Sequence, residues 1–197
     1  MTALAVFYAT REGQTRRIAE YVAKALRSRG LDVDVLDVGA ALPADLDLAR
    51  YAAVVLAASI HMGKHEGSMI RFVRAHRPAL ERLATAFLSV SLSQAAVEDP
   101  NANPARKRRA AAEVAGTIER FVRTTGFRPT RVQPVAGALL YRQYGAALRL
   151  LMRFVSGVVG AATDTSRDHE YTDWKALGRF ADEVADPVAA GARAKPS

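Results

Sequence analysis

Apolar runs and amphipathic stretches alternate along almost the whole chain, and this alternation constrains the fold more than any other feature. Residues 3–9 (ALAVFYA) are an unbroken apolar run and read as a buried strand. Ile18, Val22, Ala25 and Leu26 then fall on one side of a helix, with Gly30 as its stop signal. Residues 31–37 (LDVDVLD) alternate and predict a second strand. Residues 40–50 are weaker and fit a short helix. Residues 52–59 (AAVVLAAS) predict a buried third strand, 66–77 a helix ended by Pro78, and 84–91 (ATAFLSVS) a fourth strand. A loop with Pro100 and Pro104 leads into a helix over 105–124. Residues 131–139 (RVQPVAGAL) predict a fifth strand, which Pro134 places at a sheet edge or a bulge. The last helix, over 173–185, turns Trp174, Leu177, Phe180, Ala181 and Val184 inward, with Thr172 or Asp173 as its cap.

Strands alternating with helices predict an α/β fold with a parallel sheet. Five strands fit the doubly wound order 2-1-3-4-5, with helices on both faces. At 197 residues the chain fits one domain, over 1–186, with 187–197 as a frayed tail. Residues 141–163 are an additional helical segment before the last helix. In such sheets ligands bind beyond the carboxyl ends of the strands, at the switch point. That singles out the loops at 10–15, 59–66 and 91–103.

The chain has no cysteine. This removes disulfides, thiolate nucleophiles, iron–sulfur clusters and most structural zinc sites. A reducing cytoplasm is the expected compartment. The net charge of +8 points to an anionic partner, whether lipid, nucleic acid or an acidic small molecule. No basic–aromatic pattern for nucleic acid stands out beyond residues 106–109, so no nucleic-acid partner is expected. The N-terminus lacks the pattern of a signal peptide. No charge-free apolar stretch reaches the roughly 18 residues of a spanning helix, so any membrane contact is expected to be peripheral.

The first loop, Thr10-Arg11-Glu12-Gly13-Gln14-Thr15, joins a buried strand to a helix start. A helix N-terminus presents free N–H groups and a positive dipole end, so an anion site is reasonable there. Thr10 and Thr15 bring hydroxyls, and Gly13 brings backbone freedom. A plain strand–helix turn capped by Thr10 explains the residues equally well. The loop is neither a Walker A motif nor a G-x-G-x-x-G motif.

The stretch FYATREGQTRRIAEYVAKAL resembles the phosphate loop of flavodoxin-like proteins, which usually reads Ser/Thr-x-Thr-Gly-x-Thr and holds the phosphate of FMN. Glu12 stands where the middle Thr is usual, and a carboxylate beside a phosphate is unfavourable unless it points away. AASIHMGKHEGSMIRFV (57–73), FLSVSL (87–92), AGALLYRQYG (136–145) and TDTSRDHEYTDW (163–174) extend the resemblance. Together they are similar to the flavodoxin-like, menaquinone-dependent protoporphyrinogen oxidases of haem synthesis, over residues 3–185. The resemblance implies a flavodoxin-like doubly wound sheet, FMN, protoporphyrinogen IX as substrate, menaquinone or another quinone as acceptor, and peripheral attachment to the anionic inner face of the cell membrane. It implies that Thr10, Arg11, Glu12, Gly13, Gln14 and Thr15 cradle the phosphate, Glu12 through its backbone alone. By the same resemblance Ser59, Ile60, His61, Met62 and Gly63 border the flavin ring, and Ser91, Leu92 and Ser93 lie at its pyrimidine edge.

Read without the resemblance, Ser59 to Gly63 are a turn, and Ser89, Ser91 and Ser93 are the alternation of a strand end. His61 and His65 have the spacing of a helical metal pair, but Gly63, Gly67 and the lack of a nearby carboxylate pair speak against metal. His61 is instead a candidate proton carrier. Arg106, Lys107, Arg108 and Arg109 open the fourth helix, where cations oppose the helix dipole. They read as a solvated face, or as a surface for anionic lipid or substrate carboxylates. In 141–163 an apolar stripe accompanied by Arg142, Arg149 and Arg153 suits an interfacial helix or a helix packed on the core. Three other functions compete. One is a flavodoxin-type electron carrier, which +8 disfavours; the others are an FMN-dependent NAD(P)H:quinone reductase and a non-catalytic basic adaptor.

Overall fold

The structure is a computed structural model, and it describes residues 3–139 and 169–193. The candidate arginines Arg142, Arg149 and Arg153, and the 141–163 segment that carries them, lie outside the described residues.

Five long parallel strands form the sheet. They are β1 (Ala3–Ala9), β2 (Asp32–Asp37), β3 (Tyr51–His61), β5 (Ala84–Ser91) and β6 (Arg131–Ala136), ordered β2-β1-β3-β5-β6. Counting these strands alone, this is the expected 2-1-3-4-5 order. A short β4 (Lys64–His65) folds back antiparallel on the end of β3. The β1 run has apolar residues on both faces because both faces are covered. Leu4, Val6 and Tyr8 join one core cluster with Ile18, Val22 and Leu26 of α1 (Gln14–Arg27). Leu177, Phe180, Ala181 and Ala185 of α5 (Trp174–Arg193) complete it. Ala5, Phe7 and Ala9 point the other way, toward Met69, Phe72, Val73 and Leu80 of α2 (Gly67–Leu80) and Phe121 of α4 (Pro104–Thr125).

Several expected boundaries move. Residues 40–50 contain only a 3-10 turn at Leu48–Arg50, capped by Asp47. Pro78 does not end α2 but sits inside its last turn. Arg74 and Pro78 are exposed there, so solvent can satisfy the carbonyl that loses its amide partner, while buried Leu80 holds the turn down. The loop expected over 91–103 holds α3 (Leu92–Glu98), whose first turn is capped by the Ser91 side chain. Pro134 lies in β6, the outermost strand, where a missing amide costs little. The predicted frayed tail is helical as far as Arg193, because Val188 continues the buried face of α5. Of the two proposed caps for α5, Asp173 does the capping: its Oδ1 accepts from the Ala176 amide at 2.9 Å. Beyond β6, β7 (Ala138–Leu139) pairs antiparallel with β8 (His169–Glu170), joining the two ends of the segment between them.

Candidate functional site

Strand β1 delivers the chain to the first turn of α1 at the carboxyl end of the sheet. Gly13, with φ of 87°, makes the turn that a residue with a side chain resists. The Gly13 amide donates to Thr10 Oγ1 at 3.0 Å. The first intrahelical bond of α1 runs from the Arg17 amide to the Gly13 carbonyl at 3.1 Å. The amides of Gln14, Thr15 and Arg16 therefore have no intrahelical acceptor, and no side chain caps this helix. The start of α2 also lacks a side-chain cap, whereas side chains of Ser91, Asn103 and Asp173 cap α3, α4 and α5.

An open cleft of about 480 Å³ lies against this uncapped start. Its walls are Thr10, Glu12, Gln14 and Thr15, then Ser59, Ile60 and His61, then Val90, Ser91 and Leu92, and finally Gly137 and Ala138. The three loops singled out from sequence thus converge on one site. Thr15 Oγ1 and Ser59 Oγ are buried without a hydrogen-bond partner. Unsatisfied buried hydroxyls are costly, and both belong to residues of the cleft wall.

Other candidate residues stand apart from the cleft. Arg11 turns its guanidinium to Glu66, with Nε 3.3 Å from Oε1. Gly13 and Gly63 serve the turns and do not line the wall, nor does Ser93, which lies within α3. Met62 is 89 % exposed at the tip of the β3–β4 hairpin. Met62 (φ 49°) and Gly63 (φ 71°) are the two central residues of that tip, both left-handed as a two-residue hairpin turn requires. The side chain of Gln14 is fully engaged by the protein, so it offers the cleft its backbone. Asn103 Oδ1 accepts from the Arg106 amide at 2.8 Å in the first turn of α4. None of Arg106, Lys107, Arg108 and Arg109 lines the cleft, and Arg108 and Arg109 are exposed.

The two histidines separate. His61 pairs with Lys64 and Ile60 with His65 across the hairpin, so the histidines stand on opposite faces rather than on one helical turn. His61 lines the cleft. His65 is buried against Phe87 and Phe121, with Nε2 2.9 Å from Ser89 Oγ. Burial pulls its pKa down to about 4, so the ring is neutral at pH 7. Arg120 donates to the Gly63 carbonyl at 3.2 Å and the Glu66 amide to the Ser59 carbonyl at 3.1 Å, fastening the hairpin further. Among the described residues no three His, Asp or Glu side chains gather as a metal site.

Val90, Gly137 and Ala138 are wall residues that sequence reading did not pick out. Gly137 is the irregular point between β6 and β7, and that break in the strand was the available signal.

A family model described as a flavodoxin domain matches residues 5–166. The protoporphyrinogen IX dehydrogenase (quinone) of Escherichia coli K12 is 33 % identical over 183 residues, covering 91 % of this chain and 93 % of that protein. The protein of the same name from Leishmania major is 31 % identical over 192 residues, covering 96 % and 78 %. An NADH:FMN oxidoreductase in its apo form superposes with a TM-score of 0.51 at 13 % identity, covering 95 % of this chain and 90 % of that one. A short-chain flavodoxin associated with a bacterial microcompartment gives 0.50, also at 13 %, covering 95 % and 99 %. At these identities the two structures speak for the fold alone.

Proposed function

The chain belongs to the flavodoxin domain family and, within it, to the quinone-linked protoporphyrinogen IX dehydrogenases, and from that premise we propose how its cleft works. The protein is an FMN-dependent oxidoreductase. It oxidises protoporphyrinogen IX to protoporphyrin IX and passes the electrons to a quinone, a step of haem synthesis.

One observation carries the reading onto this chain's own residues. The uncapped start of α1 and two buried hydroxyls without partners, on Thr15 and Ser59, share one cleft at the switch point of the sheet. These groups fit FMN. The Gln14, Thr15 and Arg16 amides and the Thr15 hydroxyl supply donors for a phosphate at a positive dipole end. Thr10 Oγ1 already accepts from Gly13 and keeps its own proton to donate. Ile60 and His61 on one side and Val90 to Leu92 on the other leave a slot between two loops for a flat ring.

When bound, FMN supplies the acceptance of a hydride equivalent from the substrate and the return of electrons to the quinone. The protein's part is to place, exclude and move protons. Porphyrinogen oxidation releases protons in successive two-electron steps, and His61 is the imidazole on the cleft wall able to take one. The +8 charge draws the carboxylates of the substrate toward the molecule. The exposed Arg108 and Arg109, with Arg106 and Lys107, hold the protein peripherally against an anionic membrane, where menaquinone is the acceptor. Among the described residues no helix is long and apolar enough to cross that membrane.

Anaerobic assay of the FMN-loaded protein with protoporphyrinogen IX and a menaquinone analogue tests the function. Formation of porphyrin fluorescence matched by quinone reduction is the expected result. Quinone reduction driven by NADH, with no porphyrin formed from protoporphyrinogen, would instead make it a reductase.

A further inference from the structure

The geometry assigns Gln14, Glu170 and Thr172 a positioning role for the phosphate end of the cofactor, exerted through the first turn of α1. The inference rests on the flavin reading above and concerns side chains that do not themselves reach the phosphate.

Gln14 is the first residue of α1 and is 5 % exposed. Its amide is held at both ends. Nε2 donates to Glu170 Oε1 at 2.8 Å and to Thr172 Oγ1 at 2.9 Å, and Oε1 accepts from Arg17 Nη1 at 3.0 Å. Arg17 Nη2 closes the ring on Glu170 Oε2 at 3.4 Å. The Thr172 hydroxyl donates onward to the Ala136 carbonyl at 2.8 Å, which ties the ring to the edge strand. The segment bearing these partners is itself held. Glu170 pairs with Ala138, and the Tyr171 amide donates to the Gly137 carbonyl at 3.2 Å. Gly137 and Ala138 are cleft wall. One short segment therefore braces the first turn of α1 and the opposite wall together.

A buried amide held at both ends fixes the plane of its side chain, and so the rotation of the helical turn that carries it. That turn bears the free amides of Gln14, Thr15 and Arg16, and Thr15, a residue of the cleft wall that is 1 % exposed, keeps its Oγ1 without a partner. An apolar residue at position 14 would close the packing but would leave the rotation unset. Convergent donors lose much of their value when misplaced by an ångström.

A packing role and a positioning role differ in one measurable respect. Loss of packing weakens every flavin; loss of positioning weakens the phosphate contact. Apoprotein stripped of flavin is titrated with FMN and with riboflavin, which lacks the phosphate, by flavin fluorescence. Thr172→Val and Glu170→Ala are expected to weaken FMN about tenfold, as for one misplaced hydrogen bond to a charged group. Riboflavin affinity stays as in the parent, and Thr172→Ser restores FMN binding. Glu170 has 35 % of its side chain exposed, so Glu170→Ala decides the matter if Thr172→Val fails to fold. Equal weakening of FMN and riboflavin, or undiminished FMN binding in Glu170→Ala, would overturn the assignment. A parent apoprotein that binds neither flavin would overturn the flavin reading and this one with it.

Discussion

His65 Nε2 lies 2.9 Å from Ser89 Oγ, and this buried contact joins the tip hairpin after β3 to the adjacent strand β5. The imidazole packs beside the rings of Phe87 and Phe121, at centroid distances of 5.1 and 5.2 Å. Phe87 and Phe121 themselves stack at 4.4 Å. The hairpin that contributes Ile60 and His61 to the cleft wall is thus anchored in the core by a neutral ring.

That anchor makes stability depend on pH. The folded-state pKa of His65 is lowered to about 4 from the ordinary 6.5, so the unfolded chain binds a proton that the folded one refuses. Its contribution is complete above pH 6.5 and is lost as pH falls toward 4, by on the order of 3 kcal/mol for a shift of this size. Urea unfolding at pH 7 and pH 4.5 should show a steeper loss in the parent than in His65→Asn. Parallel curves for the two proteins would remove His65 as the source.

Thr15 gives opposite effects on the empty and the loaded protein. Its hydroxyl is buried without a partner, a cost of about 1–3 kcal/mol. Thr15→Val should therefore leave the apoprotein as stable as the parent or more so, while weakening FMN about tenfold. Thermal unfolding of the apoprotein and fluorescence titration with FMN measure the two effects on the same preparation.

Glu12 shares the wall of the cleft with Thr10 and Thr15, so a phosphate held at the start of α1, as proposed, would feel its negative charge. Like charges at this range repel, and salt screens them. Glu12→Gln should bind FMN several-fold more tightly at low ionic strength, about the effect of 1 kcal/mol. The gain should shrink in high salt. Equal affinities at low salt would mean that the carboxylate turns fully to solvent.

The exposed pair Arg108 and Arg109 bears on membrane contact. A cation near an anionic bilayer contributes about 1 kcal/mol. Arg108→Gln with Arg109→Gln should weaken pelleting with anionic vesicles about thirtyfold and leave FMN affinity unchanged, since neither residue lines the cleft. Undiminished pelleting would assign vesicle binding to other surfaces.

Much of the scaffold was legible because burial on one side of an element is written in neighbouring residues. Leu4, Val6 and Tyr8 against Ala5, Phe7 and Ala9 already announce a strand covered on two faces. Pro134 announces an edge, since an interior strand needs its amide. The short α3 was not legible. Seven residues scarcely complete an amphipathic period, and its cap, Ser91, doubles as the end of β5. The continuation of α5 through Pro187 was hidden too, because only the buried position of Val188 explains it.

The sequence by itself determined the order of the five parallel strands and the long helices between them, the three loops at the carboxyl edge, and the family to which their motifs point. Only the tertiary structure decided how the residues of those loops divide the work. It turned Arg11 to Glu66, buried His65 beside Ser89, and left His61 on the cleft wall. It also set Gln14 against Glu170, 156 positions away. Periodicity is a local property and can be read along the chain. The pairing of one buried polar group with another is decided by which distant segment arrives beside it, and the chain must fold before that partner exists.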